Sequence, residues 1–258
     1  MLINDSIHIT HWGDVGPKLV LIHGSAQGSI VGGDTCFSNQ KSLATRGFQL
    51  VIPDRPGHGK SPAPGRPDDA QLDGQWIAEL FDDHVHVVGH SFGGACALNA
   101  VSRRPEKVRS LTLIEPAMFT LVMDDARVRK FVLGLLATKF FSFSPTRRVR
   151  GFAKRMHIPT DIHGGASDEE LIRMDKGLSQ LKLPTKAALG RELGIIKEAR
   201  VPLLVVTGGW NPAFTAVGDR VSTMGGGRHV IVPSPHHFPQ LATDQFNELL
   251  ITFVQANA

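Results

Sequence analysis

The sequence predicts an α/β fold, a mostly parallel central sheet with helices on both faces and one inserted helical segment. Three observations predict it. Leu19-Val20-Leu21-Ile22 is a continuous apolar run, as suits a parallel strand covered on both faces. Strand-like and helix-like stretches alternate along most of the chain, apart from a break of about 80 residues after Glu115-Pro116. In Val87-Val88-Gly89-His90-Ser91-Phe92-Gly93-Gly94, a β-branched strand turns into a helix within a few residues, with Gly-x-Ser-x-Gly at the turn. Such a turn leaves no room for a Cβ two residues before or after Ser91, and it strains Ser91 itself.

The elements follow in order. Ile7–Trp12 alternates and reads as a first strand, closed by Gly13. Leu19–Ile22 is the second, ending in His23-Gly24-Ser25-Ala26-Gln27-Gly28. A short helix is expected over Ser38–Arg46 and a strand over Phe48–Ile52. A loop, Asp54-Arg55-Pro56-Gly57-His58-Gly59-Lys60-Ser61, follows. Its Gly-Lys-Ser end mimics a phosphate-binding loop, but the first glycine of that motif is Asp54 here, which rejects it. A helix over Asp73–Asp83 leads to the strand before Ser91. His84 and His86 are expected to share a face of that strand as packed or edge residues, since neither has a partner at metal-ligand spacing.

Val108–Ile114 is the next strand. Val128, Phe131, Val132, Leu135 and Leu136 have helical spacing, and two more helical segments are expected near Asp168–Leu181 and Thr185–Ala199. Val201–Val206 resumes the strand pattern, followed by Gly208-Gly209-Trp210-Asn211-Pro212, a short helix over Gly218–Met224, a strand over His229–Pro233 and a closing helix over Asp244–Val254.

Composition bounds the function. The chain of 258 residues is 41% hydrophobic, enough for a large core. It contains no run of about 18 apolar residues, so no membrane span is expected. No secretory signal is visible, and Cys36 and Cys96 make no disulfide framework, which fits a cytoplasmic protein. Residues 117–200 carry a net charge of +7 against −3 for the remainder. No basic run is interleaved with stacking aromatics, so nucleic acid is not an expected partner. A homodimer is left open.

The motif around Ser91 resembles the nucleophile turn of the α/β-hydrolase family, and three further landmarks stand in the order that family uses. These are His23-Gly24, the Asp54–Ser61 loop, and His237-Phe238-Pro239. The resemblance implies an α/β-hydrolase core over 1–116 and 201–258 and a helical cap over 117–200. It implies Ser91 as nucleophile and His237 as general base, with His236 the rival. Backbone N–H groups of Phe92 and of Ser25 or Ala26 would form the oxyanion hole. His58 falls in a landmark loop whose role is structural.

The acid is irregular. The family places it most often in a Gly-x-x-Asp-Pro segment, where this chain has Asn211, an amide that cannot offset an imidazolium charge. Some members carry it at the end of the preceding strand, where this chain has Glu115. Glu115 is the favoured acid and Asn211 the alternative position. Asp219 lies too far along the chain. A serine nucleophile and the absence of any Tyr argue against alkyl-carbon chemistry of the dehalogenase and epoxide-hydrolase kinds. What remains is hydrolysis of a small to medium apolar carboxylic ester or lactone, with no metal and no organic cofactor. Cleavage of a carbon–carbon bond in a diketone and a non-catalytic ligand-binding role are the rivals. His23, Gly24, Met118, Phe119, Trp210 and Phe238 are the expected pocket residues, and the six Phe between 117 and 156 suggest an apolar roof over Ser91.

Overall fold

The computed structural model describes residues 6–24, 26–82, 84–159, 162 and 165–258. Among them are seven strands: β1 (Ile9–Trp12), β2 (Lys18–Ile22), β3 (Gln49–Pro53), β4 (Val85–His90), β5 (Val108–Ile114), β6 (Leu203–Thr207) and β7 (Arg228–Ile231). They form one sheet in the order β1-β3-β2-β4-β5-β6-β7. Only β1 runs antiparallel to its neighbour. The central strands β4 and β6 are buried along their whole length, as their aliphatic runs require.

Two apolar layers sandwich the sheet. Phe92–Arg103, Pro212–Gly225 and Ala70–Glu79 cover one face with Val87, Leu111, Leu203 and Val205. Gln245–Gln255 and the tight helical turn Ser38–Arg46 cover the other, over Leu21, Val88, Ile114 and Val206. The helix before β4 begins at Ala70, earlier than its apolar pattern suggests, because the Asp69 side chain caps it by accepting from the Gln71 and Leu72 N–H groups. The helix after β6 likewise begins at Pro212 rather than at 218, capped by Asn211. His84 lies in a turn with φ of 68° and is exposed, so it does not share a strand face with His86. His86 is buried and bonds the Ser110 hydroxyl at 2.8 Å.

Between β5 and β6 the chain leaves the sheet, and the described residues there form a short turn, Phe119–Val122, and the α-helices Ala126–Phe141, Pro145–Arg155, Asp168–Gln180 and Lys186–Glu198. The second helix has no counterpart in the sequence reading. It is strongly basic and buries only Val149, so it offers too few apolar residues to be read as a core-facing helix. The segment around residues 160–164 lies largely outside the described residues. No helix among the described residues is long and apolar enough to cross a membrane.

Candidate active site

β4 delivers Ser91. Its strand ends at His90, and the next helix begins at Phe92, so Ser91 is the whole turn, with φ 55° and ψ −123°. The sequence permits this because Gly89 and Gly93 carry no side chain. A Cβ on Gly93 would sit 2.2 Å from the His23 carbonyl oxygen, and one on Gly89 2.7 Å from the Ala97 Cβ. The elbow helix therefore lies directly against the loop that leaves β2. Phe92 opens that helix, and an N–H in its first turn has no partner within the helix and meets the positive end of its dipole.

β5 delivers Glu115. The register pairs His90 with Ile114, so positions 91 and 115 follow adjacent strand ends. Glu115 also has positive φ, 46°, which aims its side chain back across the sheet edge. Its Oε1 accepts the Gly208 N–H at 2.6 Å, and its Oε2 accepts the Trp210 indole N–H at 3.0 Å. The loop after β7 delivers His237. Its Nε2 lies 2.9 Å from Ser91 Oγ and its Nδ1 3.1 Å from Glu115 Oε2. Three residues from three loops thus form one hydrogen-bonded chain. Both the imidazole and the carboxylate are buried, while Ser91 is 9% exposed.

Burial dominates the electrostatics. It lowers the His237 imidazole to a pKa of about 3, with the nearby His236 adding repulsion, so His237 is neutral at rest and Nε2 can accept a proton. It raises the Glu115 carboxyl to about 7, against the opposing pull of the Gly208 and Trp210 N–H groups. Phe214 packs at a tilt of 45° against His237 with ring centroids 4.7 Å apart, and His90 packs against His237 while donating from Nε2 to its carbonyl at 2.8 Å.

A second network holds the β2 loop. Arg55 is wholly buried. It donates to the Gly24 carbonyl at 2.8 Å, pairs with Asp68 and Asp73, and lies over the Phe92 ring at 4.9 Å. His23 donates from Nδ1 to the Gly24 carbonyl at 2.9 Å, and its Nε2 accepts the Arg55 N–H at 2.8 Å. Asp54 ties the neighbouring loop by accepting the Gly33 and Lys60 N–H groups at 2.7 and 2.9 Å. Gly24 lies against Ser91: a Cβ on it would be 3.0 Å from the Ser91 Cβ. Ser25, one of the expected oxyanion donors, lies outside the described residues, and Ala26 is buried beside the site.

Two cavities meet at Ser91. One, of about 300 Å³, is walled by Phe92, Phe119, Val132, Leu135, Phe152 and Leu181, with the Arg148–Asp175 ion pair at its edge. The other, of about 30 Å³, is walled by His23, Gly24, Ala26, His90, His237 and Phe238 among others. Four of the expected pocket residues, His23, Gly24, Phe119 and Phe238, therefore border a cavity. Met118 and Trp210 border neither. Met118 is fully buried in the core, and Trp210 turns its indole N–H to Glu115. Of the six Phe expected as a roof, only Phe119 and Phe152 face the large cavity. Phe131 packs on Phe119 and Phe214, while Phe140, Phe141 and Phe143 are 71%, 79% and 94% exposed.

Asn211 makes no contact with the imidazole chain. Its Oδ1 accepts the Ala213 N–H at 2.9 Å as a helix cap. Asp219 lies on that helix and pairs with His229 at 2.7 Å. Sequence reasoning missed Phe214, the role of Trp210 as a donor to Glu115, and the Arg55 network. Only the last had a signal, a buried-type Arg among landmark residues. No group of three His, Cys, Asp or Glu suited to a metal ion occurs among the described residues.

A nearly parallel sheet flanked by helices, with a serine on a strained strand–helix turn and a histidine within reach, is the architecture of a hydrolase core. The family model for the alpha/beta hydrolase fold matches residues 17–160, and the chain belongs to that family. Lipase LipV of Mycobacterium tuberculosis is 29% identical over 72% of this chain and 71% of its own length. A pimeloyl-[acyl-carrier protein] methyl ester esterase of Aromatoleum aromaticum is 27% identical over 84% of this chain and 81% of its own. Among solved structures, the esterase EaEST of Exiguobacterium antarcticum superposes with a TM-score of 0.69. It is 20% identical and covers 96% of this chain and 95% of its own, a likeness of fold.

Proposed function

We propose that this α/β-hydrolase is a serine esterase acting on a small to medium apolar carboxylic ester or lactone, under a cap formed by residues 117–200. The observation that carries the reading is the hydrogen-bonded chain Ser91–His237–Glu115, whose Ser91 end opens on an apolar cavity. Ser91 Oγ attacks the carbonyl carbon while His237 Nε2 takes its proton. The carbonyl oxygen gathers charge against the N–H of Phe92 and a donor of the Gly24–Ala26 loop. Glu115 holds His237 in the tautomer with Nδ1 protonated and offsets the imidazolium as it forms. His237 then protonates the departing alcohol oxygen. Water repeats the attack on the acyl-serine, giving up its proton to His237, and Ser91 is restored.

Hydrolysis of p-nitrophenyl butyrate by the wild type, with Ser91→Ala as blank, tests this. A fluorophosphonate should label the wild type at Ser91 alone. Equal activity of the variant and the wild type would refute the reading.

A further inference from the structure

The two cavities that meet at Ser91 differ tenfold in volume, about 300 against about 30 Å³, and the difference sorts the two halves of an ester. His237 is on the wall of the small cavity and not of the large one. The leaving oxygen must take its proton from His237 Nε2, so the alcohol half belongs on that side. That leaves the other half of the ester to the large cavity, which reaches Ser91 between Phe92, Ala117 and Phe119. The acyl chain belongs there. Phe152 and Met156 border both cavities and form the partition between them.

We infer that the enzyme is selective for esters joining a medium-length apolar acid to a very small alcohol, an inference that rests on the proposed esterase reading. A cavity of about 150 Å³ accommodates benzene, so the large cavity takes an acyl chain of roughly ten carbon atoms. The small one holds about one water or a methyl-sized alkoxy group. Its polar wall fits this use. His90 Nδ1 is buried there without a hydrogen-bond partner among the described residues, and His58 lies on the same wall with its Nε2 3.7 Å from the Asp68 carboxylate. Both imidazoles are pushed well below their ordinary pKa by burial and are neutral, able to bond a hydroxyl. The same space serves both half-reactions. In the first, the Ser91 Oγ–carbon bond forms and the carbon–alkoxy bond breaks, the proton passing from Ser91 through His237 to the alcohol. In the second, water occupies the vacated volume, its oxygen bonds the acyl carbon, the Oγ–carbon bond breaks, and the proton returns through His237 to Ser91.

Two ester series test this, with acid release followed by pH-stat and Ser91→Ala as blank. Among methyl esters, kcat/KM should climb by about tenfold or more from acetate to octanoate, as apolar contacts accumulate in the large cavity. Among octanoate esters, it should fall by about tenfold or more from methyl to hexyl. Ile158→Ala, which shortens a small-cavity wall residue, should raise the hexyl-to-methyl ratio several-fold and leave the acyl preference unchanged; Val31→Ala on the same wall is the second variant should the first fold poorly. A flat or inverted alcohol series, with ester hydrolysis intact, overturns the division while leaving the esterase reading standing. Absence of turnover on every ester, with no label on Ser91, overturns the esterase reading itself.

Discussion

Replacing Glu115 with Gln tests the proposal that its carboxylate is the acid behind His237. The carboxylate accepts three N–H groups: Gly208 at 2.6 Å on Oε1, and Trp210 at 3.0 Å and His237 at 3.1 Å on Oε2. A Gln has one acceptor oxygen, so its amide must turn an NH₂ toward the Gly208 N–H or toward the other two. The larger loss is charge. A carboxylate 3.1 Å from a forming imidazolium is worth about 5 kcal/mol at an effective dielectric of about 20. At about 1.4 kcal/mol per tenfold, kcat should fall by roughly three orders of magnitude. Asn211→Ala removes only a helix cap, costing about 1 kcal/mol of stability and leaving kcat within about twofold. The pH profile supplies a second readout. Burial sets the Glu115 carboxyl at about 7, and a protonated acid cannot offset the imidazolium, so wild-type kcat should rise with pH through about 7. His237, held at about 3, contributes no limb in that range. In Glu115→Gln the rise should vanish. Steady-state kinetics on p-nitrophenyl butyrate from pH 5.5 to about 8.5 measures both effects. Retention of more than about a tenth of wild-type kcat, or a greater loss in Asn211→Ala, would refute the assignment.

Gly93→Ala should place a methyl 2.2 Å from the His23 carbonyl oxygen and 2.4 Å from that of Ile22, both backbone atoms. The variant should lose about 3 kcal/mol or fail to fold, read as a Tm drop of several degrees with loss of fluorophosphonate labelling. Acid should unfold the protein through its buried histidines. His23, His58, His86, His90 and His237 are all depressed by burial from the ordinary 6.5, so the unfolded chain binds more protons below that value, and their stabilisation is present above pH 6.5 and lost as pH falls. Glu115, raised from 4.5 to about 7, has the opposite sign and cancels one histidine between those values. The depressed histidines outnumber the raised carboxyls, so the fold weakens as pH falls below 6 and the Tm should fall steeply by pH 5. A Tm unchanged between pH 7 and 4.5 refutes this.

The sheet was legible because continuous aliphatic runs have few other uses: β5 coincides with Val108–Ile114 as expected, and Ser38–Arg46 has its expected bounds. Helix starts were less legible. Asp69 and Asn211 begin their helices through side-chain caps placed before any apolar period is established. Pro145–Arg155 escaped because five of its eleven residues are Arg or Lys and only Val149 is buried, which leaves too few apolar positions to mark a face. At the site, Ser91, His237 and Glu115 were nameable from local motifs and meet in one hydrogen-bonded chain. Phe214, His90 and Trp210 surround His237 from separate elements, an arrangement that only the sheet order creates.

Glu115 reaches His237 because of the sheet rather than a loop. The β4–β5 register carries over the strand ends: the Ser91 N–H donates to the Ile114 carbonyl at 2.9 Å, and the Glu115 N–H to that of Val206 at 2.8 Å. The Ser91 carbonyl then accepts the Ala117 N–H at 3.1 Å, tying the chain just past Glu115 to the turn at Ser91. Two positive-φ residues on adjacent strand ends, each strained by about 1–3 kcal/mol, are thereby held in one fixed relation. Position 211 has no such tie, and its side chain is committed to the Ala213 N–H at 2.9 Å. Asp caps a helix about as well as Asn, so an Asn211→Asp change should keep that bond instead of turning toward the imidazole. The double variant Glu115→Gln, Asn211→Asp should therefore show kcat within about twofold of Glu115→Gln alone. A recovery of about tenfold or more would mean that the segment after β6 can supply the acid, and that the register is not what places it.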